Sequence, residues 1–188
     1  MSKIFVISGP SGSGKTTLVK ELLRDRLLKK KLVKSISLTT RPRRKKELKG
    51  KDYFFVSKKE FISLLKKNRL LEYTKYLGYY YGTSKDFIEK VLQKNKNILL
   101  CLDLRGAKAI KKLYPEKTKT IFVAPPSLEV LKERIKERSP EIKENELKAR
   151  LFLAKREIKK KQDFDCCIVN EDLKESIRRL KKIILKEI

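Results

Sequence analysis

The chain has 188 residues, of which 40% are hydrophobic and 39% are charged. This balance fits one globular domain with a buried core, and it excludes intrinsic disorder and collagen-like composition. The 50 basic and 23 acidic residues give a net charge of +27. An anion such as a nucleotide, a nucleic acid or an acidic surface is therefore a natural partner.

Several classes of protein are excluded or disfavoured. The three cysteines, two of them adjacent at Cys166 and Cys167, do not form the spaced set of a secreted disulfide scaffold, which favours a reducing cytoplasm. The absence of histidine excludes His-based catalysis and His-ligated zinc. No stretch approaches the roughly 20 apolar residues that a membrane-spanning helix requires. The short apolar run at the N-terminus indicates a buried strand, not a signal peptide.

Short β-branched runs alternate with apolar-periodic segments along the chain. This alternation predicts an α/β fold, in which helices flank a parallel β-sheet. We predict strands at 3–8, 33–38, 98–103, 118–123 and 166–169. We predict helices at 16–32, 61–67, 85–94, 107–113, 127–137, 144–161 and 173–186.

Two segments interrupt the alternation and look like insertions into the core. The first, residues 35–84, carries a basic cluster, tyrosines and strand-like runs at 52–56 and 71–75, which suits a small antiparallel lobe. The second, residues 127–162, is helical and highly charged. The core would then comprise residues 1–34, 85–126 and 163–188.

A glycine-rich motif follows the first predicted strand and opens the first predicted helix. Gly9–Thr16 reads Gly-Pro-Ser-Gly-Ser-Gly-Lys-Thr and fits G-x-x-x-x-G-K-[ST], the phosphate-binding loop (P-loop) of NTPases and kinases. Backbone N–H groups of such a loop point at phosphate oxygens. Lys15 would bridge the β- and γ-phosphates, and the Thr16 hydroxyl would ligate Mg²⁺.

Residues after the second predicted strand indicate a second anionic substrate. Arg41 and Arg44 lie three residues apart, and Tyr53 follows in a strand-like run, so two guanidiniums and a phenol can hold a dianionic phosphate. Such a cluster could also be a nonspecific basic patch. A lone carboxylate, Glu72, could accept the N1–H and amino donors on one edge of guanine.

With these motifs in order, the chain resembles guanylate kinases over nearly its whole length. The resemblance rests on S-G-P-S-G-S-G-K-T, S-x-T-T-R-x-x-R, G-K-D-Y-x-F-V, L-E, Y-Y-G-T, the D-x-x-G-A turn, A-P-P-S and I-V-N-E-D. It implies a P-loop NTPase-type core with an inserted GMP-binding lobe and a helical lid. It also implies transfer of the ATP γ-phosphoryl group to GMP, and to dGMP as a further acceptor, in purine nucleotide metabolism.

The resemblance implies a role for each matching residue. ATP would be held by Gly9, Pro10, Ser11, Gly12, Ser13, Gly14, Lys15, Thr16 and Thr17, with Arg138 and Asn170. The GMP phosphate would be held by Arg41, Arg44, Tyr53 and Tyr81, and guanine would be read by Ser37, Glu72, Thr83 and Asp103. The residues expected to act in catalysis are Lys15, Arg41, Arg134 and Arg150, with Mg²⁺ as cofactor.

The chain departs from the family pattern at Cys101. Guanylate kinases usually have an acidic residue there, two positions before the aspartate that matches Asp103, and that acid is expected near the magnesium shell. We interpret Cys101 as a buried thiol that acts only as a small hydrophobe.

Other functions are weaker interpretations. Guanylate-kinase-like scaffold modules typically lack an intact P-loop, whereas Lys15 and Thr16 are present here. A kinase for another nucleoside monophosphate is the nearest enzymatic alternative, and the pairing of Glu72 with Asp103 favours guanine. The positive charge is spread over nearly every predicted helix without a nucleic-acid-binding motif. We therefore expect a cytoplasmic monomer or homodimer that binds ATP and GMP, with no specific nucleic acid and no membrane partner.

Overall fold

A computed structural model describes residues 2–45 and 47–188. Its central sheet has five parallel strands in the order β2-β7-β1-β8-β9. They are β1 (Ile4–Ser8), β2 (Leu32–Lys34), β7 (Asn97–Cys101), β8 (Thr118–Ala124) and β9 (Cys166–Val169). The parallel sheet and the helices that flank it confirm the predicted α/β fold.

Alternate residues of β1 face opposite layers of helices, as the two-residue period of a strand requires. Phe5 and Ile7 pack with α1 (Lys15–Leu22), α2 (Arg26–Lys31) and α8 (Leu173–Glu187). Ile4 and Val6 pack with α4 (Lys85–Gln93) and α5 (Leu104–Leu113). All four side chains are fully buried, so β1 lies at the centre of the core and fixes the position of the loop that follows it.

The predicted helix over 16–32 is wrong, because the chain forms two helices and then a strand. The first helix ends at Leu22, and the Asp25 carboxylate caps the second by accepting hydrogen bonds from the amides of Leu27 (3.0 Å) and Leu28 (3.1 Å). Lys181 of α8 also donates to this carboxylate. A side-chain cap of this kind satisfies the free N–H groups at a helix start.

The predicted strand over 33–38 is also divided. Its first part is β2 in the central sheet, and its last residue begins β3 (Leu38–Thr39) in a second sheet. The amide of Ser35 still donates to the Leu99 carbonyl at 2.9 Å, after which the chain leaves the central sheet.

The second sheet has the order β4-β3-β6-β5. It comprises β3, β4 (Phe54–Phe55), β5 (Leu70–Tyr76) and β6 (Tyr79–Ser84), and α3 (Lys58–Lys66) packs against it through Phe61, whose ring stacks on Tyr80 at 5.3 Å. The predicted antiparallel arrangement is correct for β5–β6 and β3–β6, but β3 and β4 pair in parallel. The β5–β6 turn consists of Leu77 and Gly78, both with positive φ, which is the type I′ geometry that suits a two-residue hairpin.

Two further helices, α6 (Leu128–Arg138) and α7 (Glu144–Ile158), pack against each other. Their shared core includes Leu131, Ile135, Leu147 and Ala154, all nearly or fully buried. None of the helices in the described part of the chain is both long and apolar enough to cross a membrane.

Candidate functional site

A cleft of about 740 Å³ lies at the carboxyl ends of β1, β7 and β9. The second sheet and the α6–α7 pair also contribute side chains to it. Most of the predicted site residues line this cleft; they are Gly9, Ser11, Gly12, Gly14, Lys15, Thr16, Thr17, Ser37, Arg41, Arg44, Tyr53, Glu72, Tyr81, Asp103, Arg134, Arg138, Arg150 and Asn170. Pro10, Ser13 and Thr83 do not line it.

The loop between β1 and α1 needs glycine at two of its positions. Gly9 has φ +141°, and a Cβ there would lie 2.2 Å from the Val123 carbonyl oxygen. Gly14 has φ +91°, and a Cβ there would lie 2.2 Å from Nδ2 of Asn170. Any larger side chain would clash with backbone or with Asn170, so the loop can take this tight path only with glycine.

Lys15 turns back over this loop. Its Nζ donates to the carbonyl oxygens of Gly9 (2.5 Å) and Pro10 (2.7 Å). Burial lowers the pKa of the Lys15 ammonium, although the Glu157 carboxylate opposes that change. The ammonium thus lies beside the loop, where it can exchange its carbonyl partners for phosphate oxygens.

The two arginines of the predicted phosphate site share a carboxylate that sequence reasoning missed. Glu47 accepts a hydrogen bond from Nη2 of Arg41 at 2.6 Å and another from the backbone amide of Arg44 at 2.9 Å. Burial opposes ionisation of Glu47, but hydrogen bonds from Arg41 and Arg44 hold its pKa below the usual value. The sequence did offer a clue to this contact, because Glu47 follows Arg44 by only three residues.

Aromatic rings complete this part of the cleft. The Arg41 guanidinium lies 5.5 Å from the centre of the Tyr53 ring, and the Tyr53 and Tyr81 rings meet edge to face at 6.0 Å. Burial, with a smaller effect from Tyr81, raises the pKa of Tyr53 to about 12. Its phenol is therefore a neutral hydrogen-bond donor at physiological pH. Burial, reinforced by Arg41, lowers the pKa of the Arg44 guanidinium.

Glu72 is a buried carboxylate, only 7% exposed. Its Oε1 accepts a 2.6 Å hydrogen bond from the Thr83 hydroxyl, which is itself fully buried. Burial raises the pKa of Glu72 to about 7, and Asp103 contributes in the same direction. Thr83 is therefore placed to hold Glu72, whereas Glu72 and Asp103 face the cleft.

The α6–α7 pair meets the loop through arginines. Nη2 of Arg138 and Nη1 of Arg150 each donate to the Ser11 hydroxyl at 3.0 Å. Glu146 holds Arg150 from behind, accepting from its Nε at 3.0 Å and its Nη2 at 2.6 Å. Burial and three neighbouring arginines lower the pKa of Arg138 to about 10. Positive charge is thus concentrated beside the loop at Ser11, which favours an anion there.

Asn170, at the end of β9, links α6 to the loop. Its carbonyl accepts from Nη1 of Arg134 at 3.0 Å, and its side-chain amide donates to the Ser13 carbonyl at 2.8 Å. The loop, β9 and α6 are consequently joined by hydrogen bonds around one side of the cleft.

Tyr76 and Glu157 are among the further cleft residues that the sequence analysis missed. Tyr76 lies four residues after Glu72 on β5, where the two-residue strand period places it on the same face. Glu157 lies seven residues after Arg150 on α7, which is about two helical turns. Burial raises the pKa of Glu157 and, assisted by Glu157, raises that of Tyr76 to about 12. Both spacings were visible in the sequence.

Cys101 has two environments. It packs against the core around β1 and also lines the cleft, and it is half-buried. Burial raises the pKa of its thiol, so the residue is neutral at physiological pH. The interpretation as a small hydrophobe describes one side of this residue, and its other side faces the site.

The protein donors near the loop suit magnesium that arrives with a nucleotide. No group of three acidic, histidine or cysteine side chains that could hold a metal occurs within residues 2–45 and 47–188. Thr16 is exposed at the start of α1 and lines the cleft. Mg²⁺ commonly takes one or two protein oxygen ligands together with substrate phosphates and water, so the Thr16 hydroxyl is a suitable ligand for it.

Comparison with known proteins agrees with this geometry. A family model described as Guanylate kinase matches residues 1–187. A guanylate kinase of Thermotoga maritima is 41% identical over 98% of this chain and 87% of its own, and one of Clostridioides difficile is 43% identical over 98% and 87%. The crystal structure of guanylate kinase from Anaplasma phagocytophilum matches with a TM-score of 0.81 at 33% identity, covering 99% of this chain and 86% of that one. The chain therefore belongs to the guanylate kinase family, the ATP:GMP phosphotransferases.

Proposed function

We propose that this protein transfers the γ-phosphoryl group of ATP to GMP, giving GDP and ADP. One observation carries the proposal: a single cleft is lined by the glycine-rich loop, by the arginine pair of Arg41 and Arg44, and by the buried carboxylate of Glu72. Two anionic substrates can thus be bound together, as transfer between them requires.

The loop with Lys15 is the proposed ATP site. Backbone N–H groups of the loop and the N-terminal end of α1 favour phosphate oxygens. Lys15 would neutralise the β- and γ-phosphates, while Thr16 would hold Mg²⁺, which supplies further charge neutralisation when bound with ATP. Asn170 and Arg138 would border the rest of the nucleotide.

The second sheet and its adjoining loops supply most of the proposed GMP site, and Asp103 at the start of α5 supplies the rest. Arg41 and Arg44, oriented by Glu47, would clamp the 5′-phosphate, with the phenols of Tyr53 and Tyr81 as further donors. Glu72 and Asp103, with Ser37, would accept the hydrogen bonds that guanine donates. Adenine lacks that donor pattern, so the carboxylates favour GMP over AMP.

Catalysis here needs little general-base chemistry. The attacking oxygen belongs to a phosphate that is already ionised at neutral pH, so positioning and charge neutralisation carry the reaction. Arg134 and Arg150 of the α6–α7 lid would meet the charge that develops on the transferred group, a role worth about a thousandfold in related phosphoryl transfers. Closure of the lid would also exclude water and limit ATP hydrolysis.

The cellular setting is part of the same proposal. Cys101, Cys166 and Cys167 are all free thiols, which suits a reducing cytoplasm. There the protein would supply GDP for purine nucleotide metabolism, with GMP and dGMP as acceptors, as a monomer or homodimer.

The decisive assay is ADP formation with ATP and Mg²⁺, offering GMP, AMP, CMP and UMP separately. ADP release with GMP alone supports the proposal, and equal rates with AMP would refute the assigned base recognition. If no monophosphate is phosphorylated although ATP binds, the proposed activity is refuted. Lys20→Met, on the exposed face of α1, serves as a control that keeps wild-type activity.

A further inference from the structure

Gly106, in the first turn of α5, touches both carboxylates of the proposed guanine site. Its backbone N–H donates to Oδ1 of Asp103 at 2.8 Å. On its other side, a Cβ at this position would lie 2.8 Å from Oε2 of Glu72 and 3.2 Å from its carboxyl carbon. The space that a side chain of this residue would need is therefore taken up by the Glu72 carboxylate.

The backbone does not explain why glycine is here. Gly106 is helical and is not among the residues with positive φ in the described part of the chain. Glycine is a weaker helix former than alanine, so α5 would gain stability from a side chain at this position. The neighbouring Ala107, also buried, shows that this turn accepts a methyl group elsewhere. What glycine provides at position 106 is room, first for the Glu72 carboxylate and then for Cβ of Leu102, which would lie 3.2 Å from an added Cβ.

Glu72 has little freedom to move away from an added methyl group. Its Oε1 holds the Thr83 hydroxyl at 2.6 Å, and its backbone is paired with β6. The contact at 2.8 Å is shorter than real Cβ atoms show, so either the carboxylate or α5 must shift. A shift of the carboxylate moves the guanine acceptor, and a shift of α5 moves Asp103, since Asp103 caps this helix.

We propose that Gly106 is a positioning residue for base recognition, setting the separation between the carboxylates of Glu72 and Asp103. This inference rests on the proposed GMP kinase activity. A methyl group at position 106 would disturb the acceptors for guanine while leaving the loop, Lys15 and the lid arginines in place.

The test is steady-state kinetics of Gly106→Ala. We expect the KM for GMP to rise at least about tenfold. The ratio of kcat/KM for GMP to kcat/KM for AMP should fall by a similar factor, because hydrogen bonds to guanine are lost. The KM for ATP and the kcat at saturating GMP should stay within about twofold. A merely structural role would change the thermal midpoint and leave the GMP–AMP preference intact, which would overturn the proposal.

Ala109→Gly is the matched control, because it changes helix propensity at a half-buried position of α5 that does not line the cleft. It should lower the thermal midpoint and leave the KM for GMP unchanged. An equal rise in that KM would attribute the effect to helix stability and overturn the proposal.

The double variant Gly106→Ala/Glu72→Asp tests the contact directly. Aspartate withdraws the carboxylate by one methylene, so the added methyl group no longer meets it. The effects of the two substitutions on the KM for GMP should then be less than multiplicative, and multiplicative effects would overturn the proposal. If Gly106→Ala alone does not fold, recovery of folded protein in the double variant supports the steric contact, and no recovery overturns it.

Phosphorylation of GMP by the wild-type protein is measured alongside, so failure of the proposed function is distinguished from failure of this inference.

Discussion

Replacing Glu72 by glutamine should stabilise the protein at high pH while weakening GMP binding. Burial raises the pKa of this carboxyl from its ordinary 4.5 to about 7, so the folded protein binds its proton more tightly than the unfolded chain does. The contribution of Glu72 to stability is therefore fully present below pH 4.5 and is lost as the pH rises through about 7. Glutamine never ionises, and its side-chain oxygen can still accept the hydrogen bond from Thr83.

The size of the effect follows from the pKa. Above pH 7 the ionised carboxylate costs about 3 kcal/mol of unfolding free energy, and at pH 5.5 about 1 kcal/mol. We expect Glu72→Gln to raise the unfolding free energy by roughly these amounts at pH 8 and pH 5.5. Urea unfolding followed by circular dichroism at both pH values measures the difference. Glu116→Gln, at an exposed position, is the control and should change neither value.

Two results would refute this reasoning. A gain that is the same at both pH values would show that packing, not ionisation, is responsible. No gain at pH 8 would show that the ionised Glu72 carboxylate does not lower the unfolding free energy of the protein. Isothermal titration with GMP on the same samples should show weaker binding by glutamine, because its amide cannot accept both guanine donors.

Three further predictions concern the cleft. Lys15→Met should reduce transfer by at least about a hundredfold and leave GMP affinity within about threefold, whereas Arg44→Met should mainly weaken GMP binding. Single-turnover kinetics measure transfer and titration measures GMP binding. If each variant loses both properties equally, the assignment is contradicted. Glu146→Gln should lower kcat about tenfold with little change in the KM for GMP, because Arg150 loses its charged partner, and an unchanged kcat would exclude this orienting role. The KM for GMP should rise as the pH falls below about 7, because protonated Glu72 accepts one hydrogen bond fewer, and Glu72→Gln should flatten that profile.

Local features of the chain were predictable because their causes are local. The Gly9–Thr16 loop needs a buried strand before it and a helix after it, and both are evident from neighbouring residues. The spacing of Arg41 and Arg44 likewise indicated a phosphate site. The family resemblance then associated Glu72 and Asp103, which lie in distant parts of the sequence.

The differences from prediction have causes that are distant in sequence. The helix break after Leu22 depends on a cap at Asp25 that Lys181 of the last helix supports, and no local pattern contains that contact. The predicted strand over 33–38 is divided at Ser35 because its first half pairs in the central sheet and its last residue pairs in the second sheet. The position of Thr83 behind Glu72 depends on the β5–β6 register, which includes an irregularity between Leu70 and Glu72.

The cations that line the cleft have hydrogen-bond partners within the protein itself. Lys15 binds carbonyl oxygens of its own loop, and Arg138 and Arg150 share the Ser11 hydroxyl. The protein thereby acts as an internal competitor, and a nucleotide must displace these contacts before it gains its own. That competition lowers the affinity of the cleft for any anion. An anion with a single charge has too few oxygens to replace several of these contacts at once. An anion that carries several charges can offer oxygens to all of these cations at once, so the cleft is suited to ligands of that kind.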